Sequence, residues 1–398
     1  MIQPARRTEK VTYAVRDVVV LAQQVAATGR QMLYLNIGDP NLFDFATPDH
    51  IIDATTKAMR DNHNGYAPST GIPSAIAAIR RDAERNRIGN IQDIFVTTGA
   101  SEAIDVCLSA LVNAGENVLT PTPGYPLYTA LLAKLEAQEV PYYLNERNGW
   151  QPDLDDIASK INAKTRAIVL INPNNPTGSV CERATLEGIL ELARRHNLVI
   201  FADEIYDKLI LDGGQHLSIA SLDPDHPMVT FNGMSKAYVA PGYRIGWGIV
   251  SGKRELVKDY VEAINKLLRA RLSANHPEQF AIAPALDGDQ SHLTAIKHKL
   301  SRRRDISVEM LNAIPGMSCV PPRGAFYAFP SLHIEGDDER FVQELIKATG
   351  VVTVHGSGFG QRPGTKHIRI VFLPQEETLR RAYGLIGEFI AEYAAVTA

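Results

Sequence analysis

The chain has 398 residues, 45% of them hydrophobic and 22% charged, with a formal net charge of -4. That length exceeds a usual single core, so a large domain with a smaller companion is expected. The near-neutral balance excludes any general attraction to nucleic acid or to an acidic membrane, and no run approaches the about 20 apolar residues a bilayer span needs.

The start, MIQPARRTEK, is polar and basic with no apolar core behind it, so no secretory signal is expected. Seven runs follow that read as strands: residues 94–97, 117–120, 140–144, 167–171, 198–202, 228–231 and 245–250. Several are almost wholly apolar, as strands covered on both faces must be. The first leads through Gly99, Ala100 and Ser101 into Ile104, Cys107, Leu108 and Leu111, which recur at helical spacing. Strands alternating with helices predict an α/β fold with a mostly parallel sheet. From about residue 300 the pattern changes. Strands at 316–330, 351–355 and 366–373 alternate with helices at 338–348 and 376–394, which reads as a smaller α+β domain. The expected division is a large domain over 46–300 and a small one from 1–45 and 301–398, with the helix at 292–312 as hinge. Cys107, Cys181 and Cys319 form no CxxC pair and no disulfide framework, which fits a reducing, cytoplasmic setting. The histidines show no HExxH spacing, and no metal is expected.

The polar residues fall at telling places. The Gly99 turn, NPNNPTG at 172–178, DEIY at 203–206 and Ser235-Lys236 each come directly after a predicted buried strand. In a parallel sheet the carboxyl ends of the strands face one crevice, where ligands bind. Lys236 offers an amine that condenses with an aldehyde when its pKa is lowered. Arg244, eight residues on, can return to the same ligand and grip a phosphate with two hydrogen bonds. The Gly99 turn is either a phosphate cradle or an ordinary helix cap. Asp203 is either a buried partner for a ring nitrogen or a cap after its strand. Asn175 and Tyr206 can donate toward a ring oxygen, and Tyr125 offers an aromatic face or simply packs on the core. Arg369, in HIRIVF, is a candidate for a bidentate grip on a carboxylate, though a lone strand arginine is usually a surface residue.

Together these segments resemble the fold-type-I aminotransferases of class I and II. The likeness runs through LNIGDP, GYAPSTG, PGYP, NPNNPTG, DEIY, the lysine with its later arginine, PRGAFY and HIRIVF. YAVR, WQPD, NGMSKAY and VHGSGFG are similar to the archaeal and bacterial alanine subgroup. The resemblance implies pyridoxal 5′-phosphate as cofactor and ping-pong transfer between an amino acid and a 2-oxo acid, most simply alanine with 2-oxoglutarate. Aspartate or aromatic amino acids are the alternative donors, and lyase chemistry or a non-catalytic sensor are more distant readings. It implies Lys236 as the Schiff-base lysine, with Asp203 at the pyridine nitrogen and Tyr206 and Asn175 at the ring oxygen. Tyr125 would stack on the ring. Ala100, Ser101, Ser235 and Arg244 would hold the phosphate, joined by Tyr66 from a second subunit of a homodimer. Gly38, Asn175 and Arg369 would meet the substrate, and Tyr13 and Arg16 would close over it. Two features depart or stay open. Gly233 stands where many relatives carry a serine or threonine. Arg269 and Arg271 lie near the position of a cross-subunit arginine used by aspartate enzymes.

Overall fold

All seven apolar runs form strands, and they lie side by side in one sheet. In the computed structural model, which describes residues 2–11 and 14–397, this sheet has eight strands. They are β1 (Ile91–Thr98), β2 (Asn117–Thr122), β3 (Gln138–Asn145), β4 (Gln151–Pro152), β5 (Thr165–Ile171), β6 (Val199–Asp203), β7 (Met228–Gly233) and β8 (Ile245–Ser251). The order is β1-β8-β7-β6-β5-β2-β3-β4. Five central strands run parallel. β8 is antiparallel to both of its neighbours, and β4 is antiparallel to β3.

The unbroken apolar runs are explained by burial on both faces. Along β5, Ile168 and Leu170 enter one core, while Ala167, Val169 and Ile171 enter a second on the other side. Helices Pro73–Arg85 and Arg183–His196 cover the first face with Ile79, Leu186 and Ile189. Helices Ala100–Leu111 and Arg254–Ala270 cover the second with Ile104, Leu108, Ile264 and Leu268. Each such side chain, wholly withdrawn from water, contributes about 1.5–3 kcal/mol.

The C-terminal part carries much shorter strands. Tyr327–Ala328, Ile368–Val371 and Val354–His355 make a three-stranded antiparallel sheet. Sequence reading expected a strand across 316–330. Only Met317–Ser318 and Tyr327–Ala328 in that stretch are strand, because its aromatic residues are held by packing: Phe326, Tyr327 and Phe329 are all buried. The N-terminal segment joins this sheet region. Leu33–Tyr34 pairs in parallel with Val351–Val352, and Leu35 takes Val371 N–H at 2.8 Å. Residues 36–39 are thereby laid beside the strand that bears Arg369.

A long helix, Ser291–Ala313, ties these parts together. Its buried Arg303 binds Asp44 at 2.8 Å and the carbonyl of Leu373. Its neighbour Arg304 binds Asp212 at 2.6 Å and Pro322 O at 2.8 Å. Among the described residues no helix is long and apolar enough to cross a membrane.

β8 and the helix that follows β1 pack closely at Gly246. A Cβ at Gly246 would come within 2.1 Å of Ala100 N. Gly246→Ala is therefore expected to lose about 1–3 kcal/mol of stability, the usual cost of overpacking. Denaturant unfolding followed by the fluorescence of Trp150 and Trp247 checks this, and an unshifted midpoint contradicts it.

Candidate active site

The carboxyl ends of the parallel strands open into a cleft of about 690 Å³. Ser101, Tyr125, Asn175, Asp203, Tyr206, Ser235, Lys236 and Arg244 line it from the large sheet. Gly38, Tyr327 and Arg369 line it from the other side. Segments far apart in sequence thus meet as the strand ends require.

One end is built for an anion. Gly99, at φ 75°, turns the chain from β1 into helix Ala100–Leu111, and no side chain caps that helix. Its first N–H groups are left for a ligand. A Cβ at Gly99 would lie 2.5 Å from Arg244 Nη2, so the guanidinium rests directly against the turn. Arg244 is itself in the left-handed region at φ 51°, and its Nη1 donates to Pro241 O at 2.9 Å. Ser101 and Ser235 add hydroxyls. Helix terminus, guanidinium and hydroxyls form a phosphate-shaped cradle. Gly233 also acquires a reason. It pairs with Gly246 across β7 and β8, and a Cβ there would lie 2.8 Å from Ile245 O. A side chain at this position would crowd the paired strand.

Asp203 ends β6, 4% exposed. It accepts from Tyr128 Oη at 3.3 Å and from Ile205 N at 3.4 Å. Burial raises its pKa to about 6, partly opposed by those two hydrogen bonds. A carboxylate so withdrawn, with only long hydrogen bonds, calls for a cationic donor from a ligand. Lys236 Nζ donates to Gly38 O at 3.0 Å. Burial lowers its pKa to about 8, and the positive charges of Arg369 and Arg244 add to this while Asp39 opposes it.

The NPNNPTG loop is locked from within. Asn174 Oδ1 takes both the N–H and the hydroxyl of Thr177, at 3.1 and 2.9 Å. Gly178, at φ 67°, sits against the backbone of Tyr327, where a Cβ would come within 2.7 Å of its carbonyl oxygen. Asn175 is thus presented to the cleft. Its Oδ1 accepts from Arg369 Nη1 at 3.3 Å, which leaves its Nδ2 to donate elsewhere. Arg369 Nη2 donates to Asn36 O at 2.5 Å. The guanidinium lies between two rings, 4.8 Å from Tyr327 and 4.6 Å from Phe359. Tyr206 Oη and Tyr327 Oη are 2.9 Å apart.

The sequence matches the family description "Aminotransferase class I and II" over residues 30–386. The chain is a class I and II aminotransferase. It is 40% identical to the glutamate-pyruvate aminotransferase AlaA of Escherichia coli strain K12, over 98% of each protein. It is 41% identical to the alanine aminotransferase of Mycobacterium bovis, over 97% of this chain and 92% of that one. Its fold matches the alanine aminotransferase structure from Pyrococcus furiosus with a TM-score of 0.95 and 40% identity, covering 98% of this chain and all of that one.

Within this aminotransferase the cleft gathers every site residue expected from sequence except three. Tyr66 is 82% exposed and outside the cleft of its own chain. Tyr13 lies outside the described residues, and so does the side chain of Arg16. Arg271 binds Val96 O at 2.7 Å, and Arg269 binds Glu262 at 2.9 Å, so both are occupied within the chain. Tyr327 and Tyr128 were not among the expected residues. Tyr327 lines the cleft, and a Cβ on Gly38 would meet its hydroxyl at 2.2 Å. The signals for them were present: Tyr128 is three residues after Tyr125, and Tyr327 closes PRGAFY.

The lowered Lys236 pKa can be read directly. Its neutral, reactive form appears as pH rises through about 8, where a solvated lysine needs about 10.5. Reductive methylation of cofactor-free protein, followed by peptide mass spectrometry, is expected to label Lys236 with a midpoint near pH 8. A midpoint equal to that of surface lysines contradicts the burial of this amine.

Proposed function

We propose that the protein is a pyridoxal 5′-phosphate enzyme that moves the amino group of alanine to 2-oxoglutarate, giving pyruvate and glutamate by a ping-pong route. The observation that carries this is the convergence on one cleft of an anion cradle, a buried carboxylate, a lysine of lowered pKa and a sandwiched arginine. The relatives named above, at 40% and 41% identity, support the choice of alanine.

The residues present fit the cofactor. Ala100 N–H, Ser101, Ser235 and Arg244 would hold its phosphate in the uncapped cradle at Gly99. Asp203 would bind the pyridine nitrogen and supply the countercharge that keeps it protonated. Asn175 and Tyr206 would donate to the ring oxygen, Tyr125 would cover the ring face, and Lys236 would hold the aldehyde end through its amine. Bound there, pyridoxal phosphate supplies the amine-exchanging carbonyl and the electron sink for charge leaving the substrate Cα.

The chain's own groups do the rest. Arg369 binds the α-carboxylate of the substrate with two parallel hydrogen bonds, beside the backbone at Gly38. Anchoring that end restrains Cα, so a single amine would be able to carry a proton between Cα and the cofactor carbon that takes up the amino group. Lys236 Nζ is that amine, and its lowered pKa keeps an unprotonated fraction near neutral pH. Ile37, Ile104, Ile171 and Ile205 line the cleft and limit water.

Three assignments complete the reading. Tyr66, turned outward, would reach the phosphate of a second copy, which makes the working unit a homodimer. Tyr13 and Arg16 would close over the substrate, with Arg16 receiving the distal carboxylate of glutamate. Residues 46–300 would form the cofactor domain, with 1–45 and 301–398 as the small domain. The unpaired state of Cys107, Cys181 and Cys319 supports a cytoplasmic setting.

Lys236→Ala is expected to reduce turnover by at least about a thousandfold, with circular dichroism unchanged. A panel of amino donors against 2-oxoglutarate is expected to give alanine the highest kcat/KM. Wild-type turnover without Lys236 contradicts the mechanism, and a higher value for aspartate or an aromatic donor contradicts the substrate.

A further inference from the structure

His367 lies two residues before Arg369 and is almost fully buried, yet it is not one of the residues that line the cleft. Its Nδ1 is 2.8 Å from Gln361 Oε1, and its Nε2 is 3.3 Å from Glu146 Oε2. The amide of Gln361 is fixed the right way round, since its Nε2 donates to Asp338 Oδ2 at 2.7 Å. Both ring nitrogens therefore face oxygen atoms, one an amide and one a carboxylate. Ser331 Oγ donates to the same Glu146 carboxylate at 2.5 Å.

The two partners belong to different parts of the fold. Glu146 opens the turn that follows β3 in the large sheet, whereas His367 leads into the strand Ile368–Val371. The ring of His367 also stacks on Phe329 at 4.7 Å and an interplanar angle of 8°. Phe329 meets Phe359 edge-on at 6.2 Å, and Phe359 is one of the two rings that hold the Arg369 guanidinium. A packed line thus runs from the edge of the large sheet to the carboxylate-binding arginine.

We infer that His367, anchored by Glu146, is a positioning residue that sets the place of Arg369 in the cleft and so tunes affinity for the substrate carboxylate. This rests on the reading of Arg369 as the α-carboxylate site. The pair acts at a distance from the reacting atoms, so it governs binding of ligands that carry a carboxylate and leaves the proton transfer at Lys236 alone.

The test uses the holoenzyme and propionate, which has the carboxylate of alanine without its amine. His367→Asn and Glu146→Ala are each expected to weaken calorimetric propionate binding about tenfold and to raise the alanine KM similarly, with kcat within about twofold. His367→Gln, which retains a donor toward Glu146, is expected to recover most of the loss. The double variant is expected to be no worse than either single one. Thermal midpoints and cofactor absorbance identify any variant that has lost its fold. Glu146 is partly exposed, so Glu146→Ala keeps the test decisive if His367→Asn is unstable. Unchanged propionate affinity in folded variants, or a fall in kcat at constant KM, overturns the inference. Arg369→Lys is measured alongside. If it leaves propionate binding intact, the carboxylate reading itself fails, whatever His367 does.

Discussion

A carboxylate and an ammonium withdrawn from water would ordinarily close into an ion pair. Asp203 and Lys236 share one cleft and sense each other's charge, yet they form no ion pair. Each is shifted toward its neutral form, Asp203 up to about 6 and Lys236 down to about 8, and burial is the first cause in both. The consequence for stability has a definite sign. A raised carboxyl pKa costs stability as pH rises above the unfolded value, and a lowered lysine pKa costs it as pH falls below the unfolded value. At neutral pH both penalties apply, each on the order of 3 kcal/mol. A ligand that brings a cationic ring nitrogen to one group and a carbonyl to the other removes both. The fold accepts this strain because its cores supply the stability elsewhere.

Holding two such charges apart requires a rigid frame, and the two ends of the cleft achieve it differently. The end with Asp203 rests on the parallel strands of the large sheet. Asp203 terminates a strand paired on both sides, and the Gly99 turn is pinned between β8 and Arg244. The end with Arg369 has short strands and depends on cross-links instead. Arg369 is fixed by Asn36 O, by Asn175 and by two aromatic rings. Four separate segments must be in place before that guanidinium has a position.

The same contrast explains what could be read from sequence. Residues 167–171 and 198–202 could be recognised as strands because burial on both faces leaves no polar position to confuse the pattern. Lys236, Asp203 and Arg244 followed, since chemistry at the end of a buried strand has one place to go. The stretch from 316 to 330 misled, because its apolar residues serve aromatic packing and only four residues of the stretch are in strands. Tyr327 was lost for that reason, since an aromatic residue in such a stretch reads as core. Gly233 showed the converse. It looked like a lost phosphate contact, and only the strand pairing with Gly246 revealed a steric demand.

Tyr327 links these two ends. Its hydroxyl is hydrogen-bonded to that of Tyr206 on the large-sheet side, and its ring flanks Arg369 on the other. Gly38 has no room for a side chain because that hydroxyl occupies the space, and Gly178 has none because the Tyr327 carbonyl does. The two glycines therefore both make room for Tyr327, one in LNIGDP for its hydroxyl and one in NPNNPTG for its backbone. Motifs separated by 140 residues in sequence meet at this one residue. Arg369 is therefore placed from both sides of the cleft, by Asn36, Tyr327 and Phe359 and by Asn175 from the loop that follows β5 of the large sheet.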